Sequence, residues 1–339
     1  MTPKKNVIQR RPSLGGENLS RPGTPQPRFS AHLLSWYDAH ARDLPWRKNR
    51  DPYKIWISEI MLQQTRVAAV MEHYRSFLKK FPTVEKLAAA RQSTVLARWS
   101  GLGYYRRARM LHAAAKEVTR EHGGHFPNTS QALRQLPGIG RYTAAAIASI
   151  AFAEPIAVVD GNVERVLSRV FGKHLDERTT WGTAEDLLDR NRPGDANQAM
   201  MELGATVCLP RQPKCLLCPV SQFCMTRGDL PRISRSRQSA KRIIRVGLAR
   251  KNGEVFLHQR SRDDTLMPGM WELPLLPGDQ EGKSLLSLRH SITVTNYLVR
   301  VMEFACPDEC SGDWIASSRL PSLPLTGLAR KILRKVEML

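Results

Sequence analysis

The sequence predicts two domains of different class, an all-α domain over most of the chain and a small α+β domain at its C-terminal end. Two observations carry this. From Ala31 to about Met225, apolar residues recur at three- and four-residue spacing, the period of an amphipathic helix. The pattern runs through AHLLSWYDAHA, IWISEIMLQQTRVAAVMEHYRSFLKKF, TVEKLAAA, ARMLHAAAKEVTREH and TAAAIASIAF, with Gly, Pro and Asn breaks between them and no convincing strand. After Ile243 the texture changes. IIRVGLARKNGEVFLHQRS reads as two strand-like runs around the turn signature Lys251-Asn252-Gly253. SITVTNYLVRVMEFAC is β-branched with partial alternation, and LTGLARKILRKVEML closes the chain as an amphipathic helix.

Taken in order, residues 1–28 are rich in Pro, Gly, Ser and Arg and carry six basic residues against Glu17 alone. So few large apolar groups cannot offset the entropy of ordering, so the segment reads as a disordered basic tail. Residues 29–207 form the helical domain, 208–225 a cysteine-rich loop, 226–242 a basic linker and 243–339 the α+β domain. Thr226 to Arg250 holds eight Lys/Arg against Asp229, enough for the linker to lie against phosphates. At 339 residues there is room for two separate cores. No apolar run approaches the roughly 18–20 residues of a bilayer span, which excludes a membrane-spanning helix.

The balance of 52 Lys+Arg against 31 Asp+Glu gives a net charge of +21. Such an excess suits a polyanionic partner, because cations that neutralise phosphates release condensed counterions. Four of the six cysteines read Cys208-x6-Cys215-x2-Cys218-x5-Cys224, within seventeen residues. A disulfide framework is a poor reading in a chain this large. Thiolates at this density suit a structural zinc or an iron–sulfur cluster. Cys306 and Cys310 lie apart and read as buried or idle thiols.

Two short stretches point to function. In LPGIG, Leu136 to Gly140, Pro137 stops the helix SQALRQL, and two glycines permit a tight turn with positive φ before a second helix starts at about Arg141. Backbone N–H groups there can hold an anionic oxygen, which makes this a helix-hairpin-helix gripping DNA by its backbone. In AVVDGNVERVLSRVF, Asp160 stands at the start of a periodic helix. It reads as an N-cap, and a carboxylate so placed is held ionised, able to stabilise a developing oxocarbenium ion.

These features resemble the helix-hairpin-helix/Gly-Pro-Asp superfamily of DNA glycosylases, over roughly residues 30–225 strongly and 243–339 more weakly. The cysteine spacing is similar to the four-iron cluster loop of the endonuclease III and MutY branches. The resemblance implies one 4Fe-4S cluster on Cys208, Cys215, Cys218 and Cys224. It also implies a fold with an all-α helix-hairpin-helix glycosylase core, an iron–sulfur cluster loop and a small α+β Nudix-like (MutT-like) C-terminal domain. Bifunctional members carry, just after the hairpin, a lysine whose amine forms a Schiff base. Here Tyr142 stands in that position, and a phenol cannot do so.

LPWRKNRDPYKIWISEIMLQQTRV, Leu44 to Val67, resembles the MutY adenine glycosylases closely. Glu59 lies in an apolar helix beside Trp56, Ile57, Ile60 and Leu62, surroundings that keep a carboxyl protonated near neutral pH. By resemblance it donates to adenine N7 and then activates water, while Asp160 stabilises the cationic sugar with Tyr142 and Asn162. Trp46, Arg47, Leu62, Gln198 and Glu202 are expected to line the adenine pocket. Gln63, Gln64 and Thr65 would fill or abut the gap left by a flipped nucleotide, and Tyr104 would wedge into the stack. Leu136, Gly138 and Gly140 would hold the backbone.

In the C-terminal domain LHQRSRDDTLMPGMWELP resembles the opening of a Nudix fold. LLPGDQEGKSLLSLRH, however, has Glu281 alone where a working Nudix site needs a glutamate-rich, Mg²⁺-binding helix. Recognition, and not pyrophosphate hydrolysis, is therefore expected. MutY enzymes carry an aromatic-Ser-His loop reading 8-oxoguanine. Here His290-Ser291-Ile292-Thr293-Val294 falls there, and His290 with Thr293 is expected to contact the lesion strand.

The expectation is thus a monofunctional adenine glycosylase, monomeric, cytoplasmic and DNA-associated in a bacterial nucleoid. Its partner would be duplex DNA with A opposite 8-oxoguanine or G. The rivals are an endonuclease III-like lyase on oxidised pyrimidines and a non-catalytic iron–sulfur DNA-binding protein.

Overall fold

The computed structural model describes residues 26–231, 240–277, 283–292, 295–305 and 311–339. The described N-terminal part is helical, and no strand occurs among its described residues. Its helices are α1 (Gln26–His40), α2 (Pro52–Leu62), α3 (Val67–Lys80), α4 (Val84–Ala88), α5 (Gln92–Trp99), α6 (Arg106–Glu121), α7 (Ser130–Leu133), α8 (Arg141–Phe152), α9 (Gly161–Val170), α10 (Glu177–Asp186) and α11 (Pro193–Thr206). They pack into two apolar clusters. One is built around Trp56, Phe77, Trp99, Leu111 and Ile147, the other around Phe29, Leu33, Val163, Leu167 and Leu203.

Local chemistry sets several boundaries. Asp51 caps α2, accepting from the N–H of Tyr53 and Lys54, with Pro52 at the first helical position where a missing N–H costs nothing. The long apolar segment after Ile55 is not continuous: α2 ends at Leu62, and Gln64 adopts a left-handed φ of 55° before α3 begins. Helix α1 starts at Gln26, inside the stretch expected to be a tail. The helix expected over SQALRQL shortens to the four residues of α7, stopping before Pro137 comes into play.

The C-terminal part holds β1 (Ala240–Leu248), β2 (Arg250–Lys251), β3 (Glu254–Gln259), β4 (Trp271–Glu272), β5 (Leu275–Leu276), β6 (Ser284–Ile292), β7 (Thr295–Glu303) and β8 (Asp313–Ala316), then α12 (Gly327–Lys335). One sheet has the order β5-β1-β7-β6, with β1 and β7 parallel. The other runs β2-β3-β4 with β8 on β3. Val246, Leu257, Val299, Val301 and Ile315 meet Ile332 and Leu333 of α12 between them.

The expected hairpin exists, with Asn252 and Gly253 both at positive φ, as a two-residue type I′ turn demands. Its first limb, however, is the two-residue β2. The longer run before it, β1, begins at Ala240 within the presumed linker and pairs with β7 across the domain. SITVTNYLVRVMEFAC likewise is not one strand but the end of β6 followed by β7. Most of the tail, residues 232–239 of the linker, Glu281, Thr293, Cys306 and Cys310 lie outside the described residues.

Contacts between the two parts are specific. Tyr105 Oη and Ser100 Oγ both donate to the Leu325 carbonyl, at 3.1 and 2.6 Å, and Arg330 Nε donates to Ser100 Oγ at 2.8 Å. Met270 is fully buried in the first helical cluster. Among the described residues, no helix is long and apolar enough to cross a membrane.

Candidate active site

The two helical clusters meet at a pocket of about 550 Å³. Glu59, on α2 of the first cluster, lines one wall. Asp160, at the start of α9 of the second, lines another. Helix α11 bridges both clusters and brings Gln198, Met201 and Glu202 to the same space. Trp46, Arg47, Leu62, Gln63, Gln64, Thr65, Tyr142 and Asn162 complete it, so residues 46–65, 142–162 and 198–202 converge from distant parts of the chain.

Glu59 is 6% exposed, and its Oε2 accepts a 2.8 Å hydrogen bond from Tyr142 Oη. Burial pushes its carboxyl up to about 7, against the opposing pull of that hydrogen bond. The phenol is itself pushed well above its ordinary value by burial and by the Glu59 and Asp160 charges, so Tyr142 remains a donor. Its Oη also lies 3.4 Å from Met201 Sδ.

Asp160 is a true N-cap. Oδ1 accepts from the N–H of Asn162 and of Val163, both at 2.8 Å, and Oδ2 accepts from Asn162 Nδ2 at 2.9 Å. Asn162 Oδ1 in turn accepts from Arg165 Nη2 at 2.8 Å, which fixes which way the amide faces. Gly204 lets α11 approach, since a Cβ there would sit 2.6 Å from the Cβ of Asn162.

Glu202 is 1% exposed and held by two arginines. Arg42 grips it with Nε at 2.6 Å and Nη2 at 2.7 Å, and Arg47 Nη2 donates at 2.8 Å. Burial pushes the carboxyl up, but the hydrogen bonds from Arg42 and then Arg47 outweigh it and hold it at about 2. Arg42 escaped the sequence reading, because its partner lies 160 residues away and nothing local marks the pair.

Gln63 and Gln64 also line a cleft of about 1290 Å³ between the two parts of the chain. Tyr104, Pro137, Gly138 and His290 line it, so the expected wedge, hairpin and lesion-reading histidine face one space. Tyr104 is 49% exposed at a left-handed φ of 46°. In the hairpin only Gly138 has positive φ, 75°, and a Cβ there would lie 2.5 Å from Met110 Cβ. Gly140 is extended and precedes α8 as its N-cap, not the second left-handed residue expected. Leu136 is buried in the core, so only its backbone is available at the turn.

Arg107 ties these parts together. Nη1 donates to the carbonyls of Ile60, Met61 and Gln63, and Nη2 to Thr65 Oγ1 and the carbonyls of Leu102 and Gly103. Its guanidinium also lies over the Trp99 and Tyr104 rings, at 5.3 and 5.6 Å. Its two terminal NH2 groups serve all six acceptors, while Nε is buried without a partner.

The four loop cysteines are free thiols. All line one small pocket walled by Val166, Val170, Leu203, Val207 and Val220. Arg169 Nη1 donates to Cys208 Sγ at 3.3 Å, and the Arg227 N–H to Cys224 Sγ at 3.4 Å. Among the described residues no three His, Cys, Asp or Glu side chains close around a single metal ion. Four thiol donors around an apolar space, with N–H donors aimed at sulfur, fit a thiolate-ligated metal group.

Residues 57–188 match the family model of HhH-GPD superfamily base excision DNA repair proteins. Human adenine DNA glycosylase is 48% identical over 240 residues, covering 66% of this chain and 44% of the human protein. The Arabidopsis thaliana adenine DNA glycosylase is 38% identical over 322 residues, covering 80% of the chain and 50% of that protein. Among solved structures, a thermostable thymine-DNA glycosylase is 34% identical, with a TM-score of 0.56 over 60% of this chain and 96% of its own. The chain belongs to the HhH-GPD superfamily of base excision DNA repair proteins. Within it, the similarity runs to the adenine DNA glycosylases of the MutY type. The chain spans about half the length of the curated relatives it matches, or slightly less.

Proposed function

We propose that this protein is a monofunctional adenine DNA glycosylase, hydrolysing the N-glycosidic bond of adenine mispaired with 8-oxoguanine or guanine. The observation that carries this reading is the 2.8 Å Tyr142–Glu59 hydrogen bond inside a pocket that also holds Asp160. The carboxyl and the carboxylate divide the work as in glycoside hydrolysis, where one acid protonates the leaving group and a second group stabilises an oxocarbenium-like state.

Glu59, half protonated near neutrality, donates to adenine N7 as the glycosidic bond lengthens. Asp160, with its lone pairs fixed by two backbone N–H groups and Asn162, stabilises the developing positive charge on the sugar. Once the base has left, the Glu59 carboxylate accepts a proton from the attacking water. Trp46, Leu62, Gln198 and the Arg42–Glu202–Arg47 group shape and polarise the pocket for the flipped base. Tyr142 offers no amine, so no Schiff base forms and the strand stays whole. Gln64 and Tyr104 occupy the stack, while Gly138 and Gly140 present backbone to a phosphate. His290 and Thr293 read the base opposite.

Cys208, Cys215, Cys218 and Cys224 would hold one 4Fe-4S cluster, which when bound cross-links the loop and supplies a redox-active centre that base excision does not require.

Glu59→Gln is the test. Adenine release should fall by at least three orders of magnitude while duplex binding persists. Release at the wild-type rate would mean that Glu59 is not the acid.

A further inference from the structure

We infer that helix α12 is a second phosphate-binding wall of the cleft, contacting the DNA backbone through Arg334 and Lys335. The inference rests on the glycosylase reading for the identity of its ligand, but its evidence is separate.

Gly327, Arg330, Lys331, Arg334 and Lys335 follow one another at the three- and four-residue spacing of a single helix face, and all five line the 1290 Å³ cleft. The opposite face, Ala329, Ile332 and Leu333, is buried in the core of the C-terminal part. The hydrophobic core therefore fixes which way the basic face looks. Two of the four cations have partners within the protein. Arg330 is tied to Ser100, and Lys331 Nζ donates to the Arg289 carbonyl at 2.7 Å. Arg334 and Lys335 are exposed, and neither side chain has a hydrogen-bond or ion-pair partner among the described residues.

The rest of the cleft has the same sign. Arg106, Arg107 and Arg109 line it from α6, and Glu272 is the one acid among the described residues that line it. That acid is itself paired with Arg260 Nη1 at 2.6 Å. Like charges four residues apart weaken a helix, so fold stability does not account for the stripe. The helix dipole favours cations in the last turn, but it does not select the face that looks across the cleft at Tyr104 and Gly138. A polyanion lying along the cleft does. Duplex DNA is the polyanion whose backbone Gly138 can also meet from the facing wall.

The test is the salt dependence of affinity for a fluorescent mismatch-free duplex, for wild type and for the double variant Arg334→Gln/Lys335→Gln. Each phosphate contact contributes about 0.9 to the slope of log K against log salt. The inference predicts a slope shallower by about 2 for the double variant, with an unchanged melting temperature. Lys79→Gln/Lys80→Gln removes the same charge from exposed positions outside the cleft and should leave the slope unchanged. An unaltered slope in the first pair, or an equal loss in both, overturns the proposal. So does loss of polyglutamate binding with the duplex slope intact, which would assign the face to an acidic protein. A wild type that binds with the predicted slope yet releases no adenine would refute the glycosylase reading and leave this wall standing.

Discussion

Replacing Glu59 by Gln should abolish catalysis and, above neutral pH, stabilise the protein. The folded state holds the Glu59 carboxyl at about 7, against an ordinary value of 4.5, and burial is the leading cause. Below pH 4.5 the carboxyl is protonated whether the chain is folded or not, and the neutral glutamine should match it closely. Between pH 4.5 and 7 the unfolded chain releases the proton while the folded one keeps it. Wild-type stability therefore falls with rising pH relative to the variant, and the difference is complete above pH 7. An interval of about 2.5 pH units, at about 1.4 kcal/mol each, comes to about 3 kcal/mol in favour of the glutamine. Glutamine can still accept the Tyr142 hydrogen bond through its carbonyl oxygen, so little of this is returned. Urea unfolding of both proteins at pH 5 and pH 8 measures it. A stability difference that stays constant across that range would refute the reasoning, because no pH-linked cost would then reside at Glu59.

Tyr142→Phe removes the hydrogen bond that lowers the Glu59 pKa, so the alkaline fall in excision rate should move to higher pH. A hydrogen bond to a charged group is worth about 1.5–3 kcal/mol, so the move is about 1–2 pH units, read from single-turnover profiles whatever the absolute rate. Arg107→Lys should destabilise the protein by about 2–4 kcal/mol, as loss of a buried network does. It should also slow excision non-additively with Tyr104→Ala, since Arg107 supports both the Gln63–Thr65 turn and the Tyr104 ring. Additive losses in a double-mutant cycle would separate the two. Cys218→Ser should lower iron and acid-labile sulfide together and expose the 208–225 loop to protease; retained iron at wild-type stoichiometry would remove Cys218 from the ligand set. His290→Ala should reduce the preference for A opposite 8-oxoguanine over A opposite G, and comparable rates on both duplexes in the wild type would remove the basis for that role.

What was legible in the sequence divides along physical lines. Features carried by local chemistry could be read directly. The Asp160 cap, the left-handed Gly138, the Asn252-Gly253 turn and the apolar helix around Glu59 each depend on residues within a few positions. Features that depend on distant partners could not. Arg42 reads as an ordinary charge until α11 brings Glu202 to it, and the Arg107 acceptors come from two separate turns. Strand pairing failed for the same reason. β1 has the texture of a hairpin limb, and nothing within it tells that its partner is β7, some fifty residues on. The break after Leu62 leaves no mark in the pattern, because apolar spacing continues across it while Gln64 alone carries the backbone reversal.

Single-turnover excision of adenine from a duplex with A opposite 8-oxoguanine, analysed with and without alkali and in the presence of borohydride, tests the central assignment most directly. Tyr142 in place of an amine, beside a protonated Glu59, predicts free adenine, a strand break that appears only after alkali, and no covalent adduct. Strand scission without alkali, or a borohydride-trapped protein–DNA adduct in good yield, would contradict it.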